Sequence, residues 1–111
     1  MRRKIVAGNW KLHGDRAFAH RLVDAIAAVP AVAGVELVIL PPLPYLGELV
    51  EHCRATDLRF GAQDVSANSQ GAYTGEVSAS MLADIGASYG LVGHSERRQY
   101  HRETNELVAA K

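Results

Sequence analysis

At 111 residues the chain has room for a single domain. Twelve Lys+Arg balance twelve Asp+Glu for a formal net charge of zero, which argues against a polybasic nucleic-acid arm or an acidic solvating tail. With 48% hydrophobic and 22% charged residues the composition is globular rather than disordered.

In chain order, Lys4-Ile5-Val6-Ala7 is a short apolar run that breaks at Gly8, in the manner of a buried parallel strand. It follows Met1-Arg2-Arg3, yet it is too short for the apolar region of a secretory leader. Asp15 stands before Phe18, Leu22, Ile26 and Val29, whose spacings predict a helix capped by Asp15 and stopped by Pro30. A second strand is expected over Val35 to Leu40, ended by Pro41-Pro42. Those prolines, with Pro44, break the longest apolar run, so it cannot span a bilayer. Pro44 suits the first turn of a helix that places Leu46, Leu49, Val50 and Cys53 on one face. Cys53 is the only cysteine, which excludes an intramolecular disulfide and fits a buried structural thiol.

A third strand is expected over Leu58 to Ala62. The polar stretch from Asp64 to Gly75 reads as a long surface loop. Ser78 then caps a short helix carrying Met81, Leu82 and Ile85, and Tyr89 to Gly93 forms a fourth strand. A last helix starts near Thr104, with Glu106 in its first turn and no C-cap signal before Lys111. This alternation of strand and helix predicts an α/β chain with a parallel sheet and right-handed crossovers. A closed eight-unit barrel takes ~200–250 residues, about twice this length, and a last helix without a C-cap is what a fragment is expected to show. The default expectation is a soluble, cytoplasmic chain.

Ligands of α/β sheets gather beyond the C-terminal ends of the strands. After the first strand come Asn9, Trp10 and Lys11; after the fourth come His94, Ser95 and Glu96. An imidazole converging with an ammonium suits polarisation of a carbonyl and attraction of an anionic substrate. No Gly-rich nucleotide fingerprint is present. Ser95 lacks the flanking glycines of a nucleophile elbow, and no Cys/His spacing suggests a metal. His13, His20 and His52 show no pairing at metal spacing and read as surface residues, and Trp10 as packing. Arg97, Arg98, His101 and Arg102 read as the solvated, ion-paired start of a helix.

Four segments are more specific: Ala7-Gly8-Asn9-Trp10-Lys11, Gly61-Ala62-Gln63-Asp64-Val65-Ser66, Gly71-Ala72-Tyr73-Thr74-Gly75-Glu76-Val77-Ser78 and Gly90-Leu91-Val92-Gly93-His94-Ser95-Glu96-Arg97-Arg98. In this order they resemble the N-terminal portion of the triosephosphate isomerase family, along the whole chain. The resemblance implies that residues 1–111 are the N-terminal half of a (βα)8 TIM-barrel domain. It implies an isomerase of glycolysis and gluconeogenesis that interconverts dihydroxyacetone phosphate and glyceraldehyde 3-phosphate. It also implies a cytoplasmic homodimer with a small phosphorylated triose as substrate, and no cofactor, metal, nucleic acid or membrane.

Carried over by position, Asn9 and Lys11 bind substrate, and Lys11 also stabilises developing negative charge. His94 polarises the carbonyl as a neutral electrophile opposite a glutamate base, which is how this family is known to work. Glu96 and Ser95 support them. The loop from Asp64 to Glu76 implies a dimer contact, with Thr74 reaching the partner subunit's site and Gln63 and Glu76 bracing the interface. The base glutamate, the lid and the main phosphate loops have no counterpart in these residues, so the chain alone is expected to be inactive. Two other readings are a self-associating half-barrel that serves as a binding module, and a complete small flavodoxin-like domain.

Overall fold

The structure is a computed structural model and describes residues 2–111. Its elements are β1 (Lys4–Asn9), α1 (Arg16–Ala27), β2 (Val35–Leu40), α2 (Leu43–His52), β3 (Arg59–Ala62), α3 (Ala79–Asp84), β4 (Tyr89–Gly90), α4 (Ser95–His101) and α5 (Asn105–Ala110). The strands lie in the order β1-β2-β3-β4 with every pair parallel, and the sheet curls into half of a barrel. In-order parallel pairing forces each connection to cross over the same face, so the helices collect on one side. Among the described residues no helix is long and apolar enough to cross a membrane.

The core lies between the sheet and that helical layer. Ala19 and Val23 of α1, Ile39 of β2, Leu46 and Leu49 of α2, Phe60 of β3 and Leu82 of α3 form one buried cluster that also takes in Cys53. Leu46 and Leu49 are fully buried, and each such side chain contributes about 1.5–3 kcal/mol by leaving water. Cys53 is the buried thiol that was expected, and burial pushes its pKa up, with the Asp24 charge adding to the effect.

The helix caps follow the sequence. Asp15, Ser78 and Thr104 accept from the backbone N–H groups of Phe18, Met81 and Leu107, respectively, each satisfying a donor that the first helical turn leaves free. Several expectations need correcting. Helix α1 buries Ala19 and Val23, one residue out of phase with the expected stripe, while Phe18 turns outward to meet Trp10 edge-on at 5.8 Å. It ends at Ala27 with Ala28 as its C-cap, two residues ahead of the expected stop at Pro30. Strand β1 continues through Gly8 to Asn9 and is largely exposed rather than buried, since it pairs with β2 alone. β3 starts one residue later than expected, and β4 keeps two residues, with one further bond from Leu91 N to the Ala62 carbonyl.

The segment from Asp64 to Glu76 is a surface loop, and it is braced from within. Ser66 Oγ donates to Glu76 Oε1 at 2.7 Å, Ser66 N to the Val77 carbonyl, and Glu76 N to the Tyr73 carbonyl.

Candidate active site

β1 delivers Asn9 to the rim of the half-barrel, where Trp10 N still bonds the Leu40 carbonyl at 3.0 Å. The Asn9 side chain then turns the chain: its Oδ1 accepts from Lys11 N at 2.9 Å, a local bond of the kind asparagine makes readily. Lys11 takes φ = 56°, a left-handed conformation that a non-glycine residue seldom adopts. From there its Nζ lies 2.8 Å from Glu96 Oε1. The pair is about half exposed, so its value is in placing the ammonium rather than in stability. The hydrogen bond from Lys11 holds the Glu96 carboxyl below its ordinary range, against partial desolvation.

β4 delivers His94 from the other side. Gly93 before it has φ = 64°, and a Cβ there would lie 2.8 Å from Val108 Cγ1. His94 is the N-cap of α4, and its Nδ1 accepts from Glu96 N at 3.1 Å. A backbone N–H can only donate, so Nδ1 is unprotonated and the ring proton sits on Nε2. The 3.7 Å approach of the same Nδ1 to Glu96 Oε2 is therefore a contact and not an ion pair. Glu96 thus engages both groups: its carboxylate holds Lys11 and its backbone holds His94.

Behind Glu96 the chain is anchored by a ring of charges. Arg97 bonds Asp64 at 3.0 Å and Glu103 at 2.9 Å, while Lys111 Nζ reaches Asp64 at 2.8 Å and Glu103 at 2.6 Å. Glu103 and Lys111 are almost wholly buried. Burial pushes the Glu103 carboxyl up, but the bonds from Lys111 and Arg97 outweigh it and leave the pKa lowered. Burial likewise pushes Lys111 down, and its bonds to Asp64 and Glu103 leave it raised. Arg97 has the ion pairs expected of this helix start, and through them it ties together the loop after β3, α4 and the approach to α5. Lys111 N bonds the Leu107 carbonyl, an ordinary helical bond of the last turn described.

Asn9, Lys11, Gln63, His94, Glu96 and Glu76 line one cleft of about 740 Å³. Thr74 is exposed in the loop, and Ser95 is exposed at the start of α4; neither lines the cleft. Every carboxylate lining the cleft already has a partner: Glu96 has Lys11, Asp64 has Arg97 and Lys111, and Glu76 has Ser66. Such an arrangement can hold an anion and donate to a carbonyl oxygen, with none of these carboxylates free to act as a base.

His20 and His52 lie near the surface, as expected, and they pair with each other and with carboxylates. Their rings meet edge-on at 4.4 Å, His52 bonds Asp24 at 2.7 Å, and His20 approaches Glu48 at 3.5 Å. Among the described residues no group of three or more His, Cys, Asp or Glu side chains could hold a metal ion. Sequence reasoning missed the use made of Gln63, whose amide bonds two backbone carbonyls of neighbouring strand ends.

The family model for triosephosphate isomerase matches residues 4–111. The chain is 73% identical over 111 residues to a triosephosphate isomerase of Xanthomonas campestris pv. campestris (strain 8004), covering 100% of this chain. It is 69% identical over the same length to a triosephosphate isomerase of Stenotrophomonas maltophilia (strain K279a). The chain spans 44% of the length of each of these relatives.

Proposed function

This chain belongs to the triosephosphate isomerase family, and on that premise we propose that it contributes the substrate-holding and carbonyl-polarising side of an isomerase site. The reaction interconverts dihydroxyacetone phosphate and glyceraldehyde 3-phosphate through an enediol(ate), in glycolysis and gluconeogenesis. The observation that carries the reading is the double engagement of Glu96, which holds Lys11 Nζ at 2.8 Å and His94 Nδ1 at 3.1 Å. It fixes an ammonium and a neutral imidazole N–H on one cleft wall before any substrate arrives, as electrostatic stabilisation of a developing oxyanion requires.

In this mechanism Lys11 attracts the phosphorylated substrate and stabilises charge as the enediolate forms. His94 donates from Nε2 to the substrate oxygen and passes the proton between neighbouring oxygens. Asn9 positions Lys11 through Oδ1 and offers its amide N–H to the substrate. The proton on carbon needs a base, and the carboxylates of this cleft are all engaged. The lowered pKa of Glu96 also makes it a weaker base. In this reading the base is the family's glutamate, which has no counterpart in these 111 residues. Without it the rate falls by ~10²–10⁴-fold or more.

The working assembly in this reading is a cytoplasmic homodimer. The braced loop from Asp64 to Glu76 presents Thr74 to the partner subunit, with Glu76 and Gln63 stiffening the loop and its root from inside the chain. A self-associating half-barrel is the second reading, favoured by the exposed Ile5 and Val6 of β1; a mass that does not change with concentration would sink it.

The test joins residues 1–111 to the remaining segment of the Xanthomonas campestris relative and assays isomerisation of both trioses. We expect turnover, and a loss of kcat/KM of about 10²–10³-fold in Lys11→Met and in His94→Gln. Failure of the unaltered joined chain to turn over would refute the reading, as would unchanged activity in either variant.

A further inference from the structure

Gln63 is the first residue after β3, and its side-chain amide is committed within the chain. Nε2 donates to the Lys11 carbonyl at 3.0 Å and to the Leu40 carbonyl at 2.9 Å. These carbonyls belong to the segments that leave β1 and β2, so one side chain laces three neighbouring strand ends together. Both amide hydrogens are used, the full donor capacity of a glutamine.

Lys11 needs such restraint. Among the described residues only Lys11 and Arg102 are non-glycine residues with positive φ. Arg102 is the C-cap of α4, where a left-handed residue is an ordinary helix ending. Lys11 ends no helix, and a lysine held left-handed persists only where its surroundings over-determine the backbone. Two side chains do so. Asn9 Oδ1 takes the Lys11 N–H on one side, and Gln63 Nε2 takes the Lys11 carbonyl on the other.

We propose that Gln63 is a positioning residue for Lys11: its amide holds the left-handed backbone that aims the ammonium at Glu96 and the cleft. The consequence for catalysis rests on the isomerase reading, whereas the consequence for Lys11 geometry does not. An interface role for Gln63 would then be indirect, because its donors are already occupied inside one chain.

Gln63→Met keeps the length of the side chain and removes both donors. Gln63→Asn keeps an amide but withdraws it by one methylene, beyond reach of two carbonyls at once. Both are made in the joined chain described above, with four readouts. A positive φ brings the amide and α protons of a residue close, so the strong intraresidue NOE of Lys11 reports the left-handed state. The carboxyl titration of Glu96 reports whether Lys11 still faces it. Sedimentation and thermal melting report assembly and folding.

We expect the Lys11 NOE to weaken and the Glu96 titration to move up toward its ordinary value in both variants. We also expect kcat/KM to fall about 10–100-fold with the sedimenting mass unchanged. Retention of the Lys11 NOE and of the lowered Glu96 titration would overturn the proposal, as would an activity loss that appears only where the mass halves. If Gln63→Met does not fold, Gln63→Asn decides by the same readouts. If the unaltered joined chain is inactive, the isomerase reading fails, while the NOE and the titration still judge Gln63.

Discussion

Single residues set the geometry of this cleft through backbone conformations that their types do not favour equally. Gly93 has φ = 64°, and a Cβ there would meet Val108 at 2.8 Å, so both torsion and space demand glycine. Gly93→Ala should therefore destabilise the chain by about 2–5 kcal/mol, the sum of left-handed strain and overpacking, measured by urea denaturation. A loss under about 0.5 kcal/mol, the usual size of a neutral surface change, would show that the turn before His94 can relax. Lys11 occupies the same region of backbone space without the excuse of being glycine, and no local pattern announces that. Asn9, Lys11 and His94 could be nominated from the sequence because they follow strands. The hydrogen bond from Gln63 to Lys11 could not, because it joins residues 52 positions apart and depends on strand order.

At the scale of elements, the caps were readable because a cap is a local bond between near neighbours. The phase of α1 was not, because Ala19 reads as neutral beside Phe18 and yet is the residue that fits against the sheet. Helix α4 was not separated from its surroundings because it buries no residue at all, and apolar periodicity is silent about an element held by charge. Its anchor is the ring of Arg97, Asp64, Glu103 and Lys111, which gives the fold a particular pH dependence. Glu103 lies below its ordinary 4.5 in the folded chain, so its contribution is complete above that value and is lost as pH falls through the lower, folded one. Lys111 lies above its ordinary 10.5, so its contribution is complete below that value and is lost as pH rises through the folded one. Urea midpoints measured across pH should fall on both the acid and alkaline sides, and Glu103→Gln should flatten the acid arm. An acid arm as steep in Glu103→Gln as in the unaltered chain would assign the effect to other carboxylates, such as Glu96.

At the scale of the molecule, strand–helix alternation was enough to predict a parallel sheet, because βα units have one favoured handedness and collect their loops on one rim, and the half-barrel followed from the family resemblance. The four motif segments placed the candidate site on that rim. What they could not convey is the state of its charges: three carboxylates line the cleft and each is already bonded to a cation or a hydroxyl. The arrangement can hold an anion and polarise a carbonyl, and none of its three carboxylates is without a partner. A coupled isomerase assay on the 111-residue chain by itself, run beside the joined chain, tests this most directly. The prediction is turnover by the joined chain and none above background by the 111 residues alone. Turnover by the short chain within about tenfold of the joined one, less than the ~10²–10⁴-fold that a general base supplies, would contradict it and return Asp64, Glu76 and Glu96 to candidacy as the base.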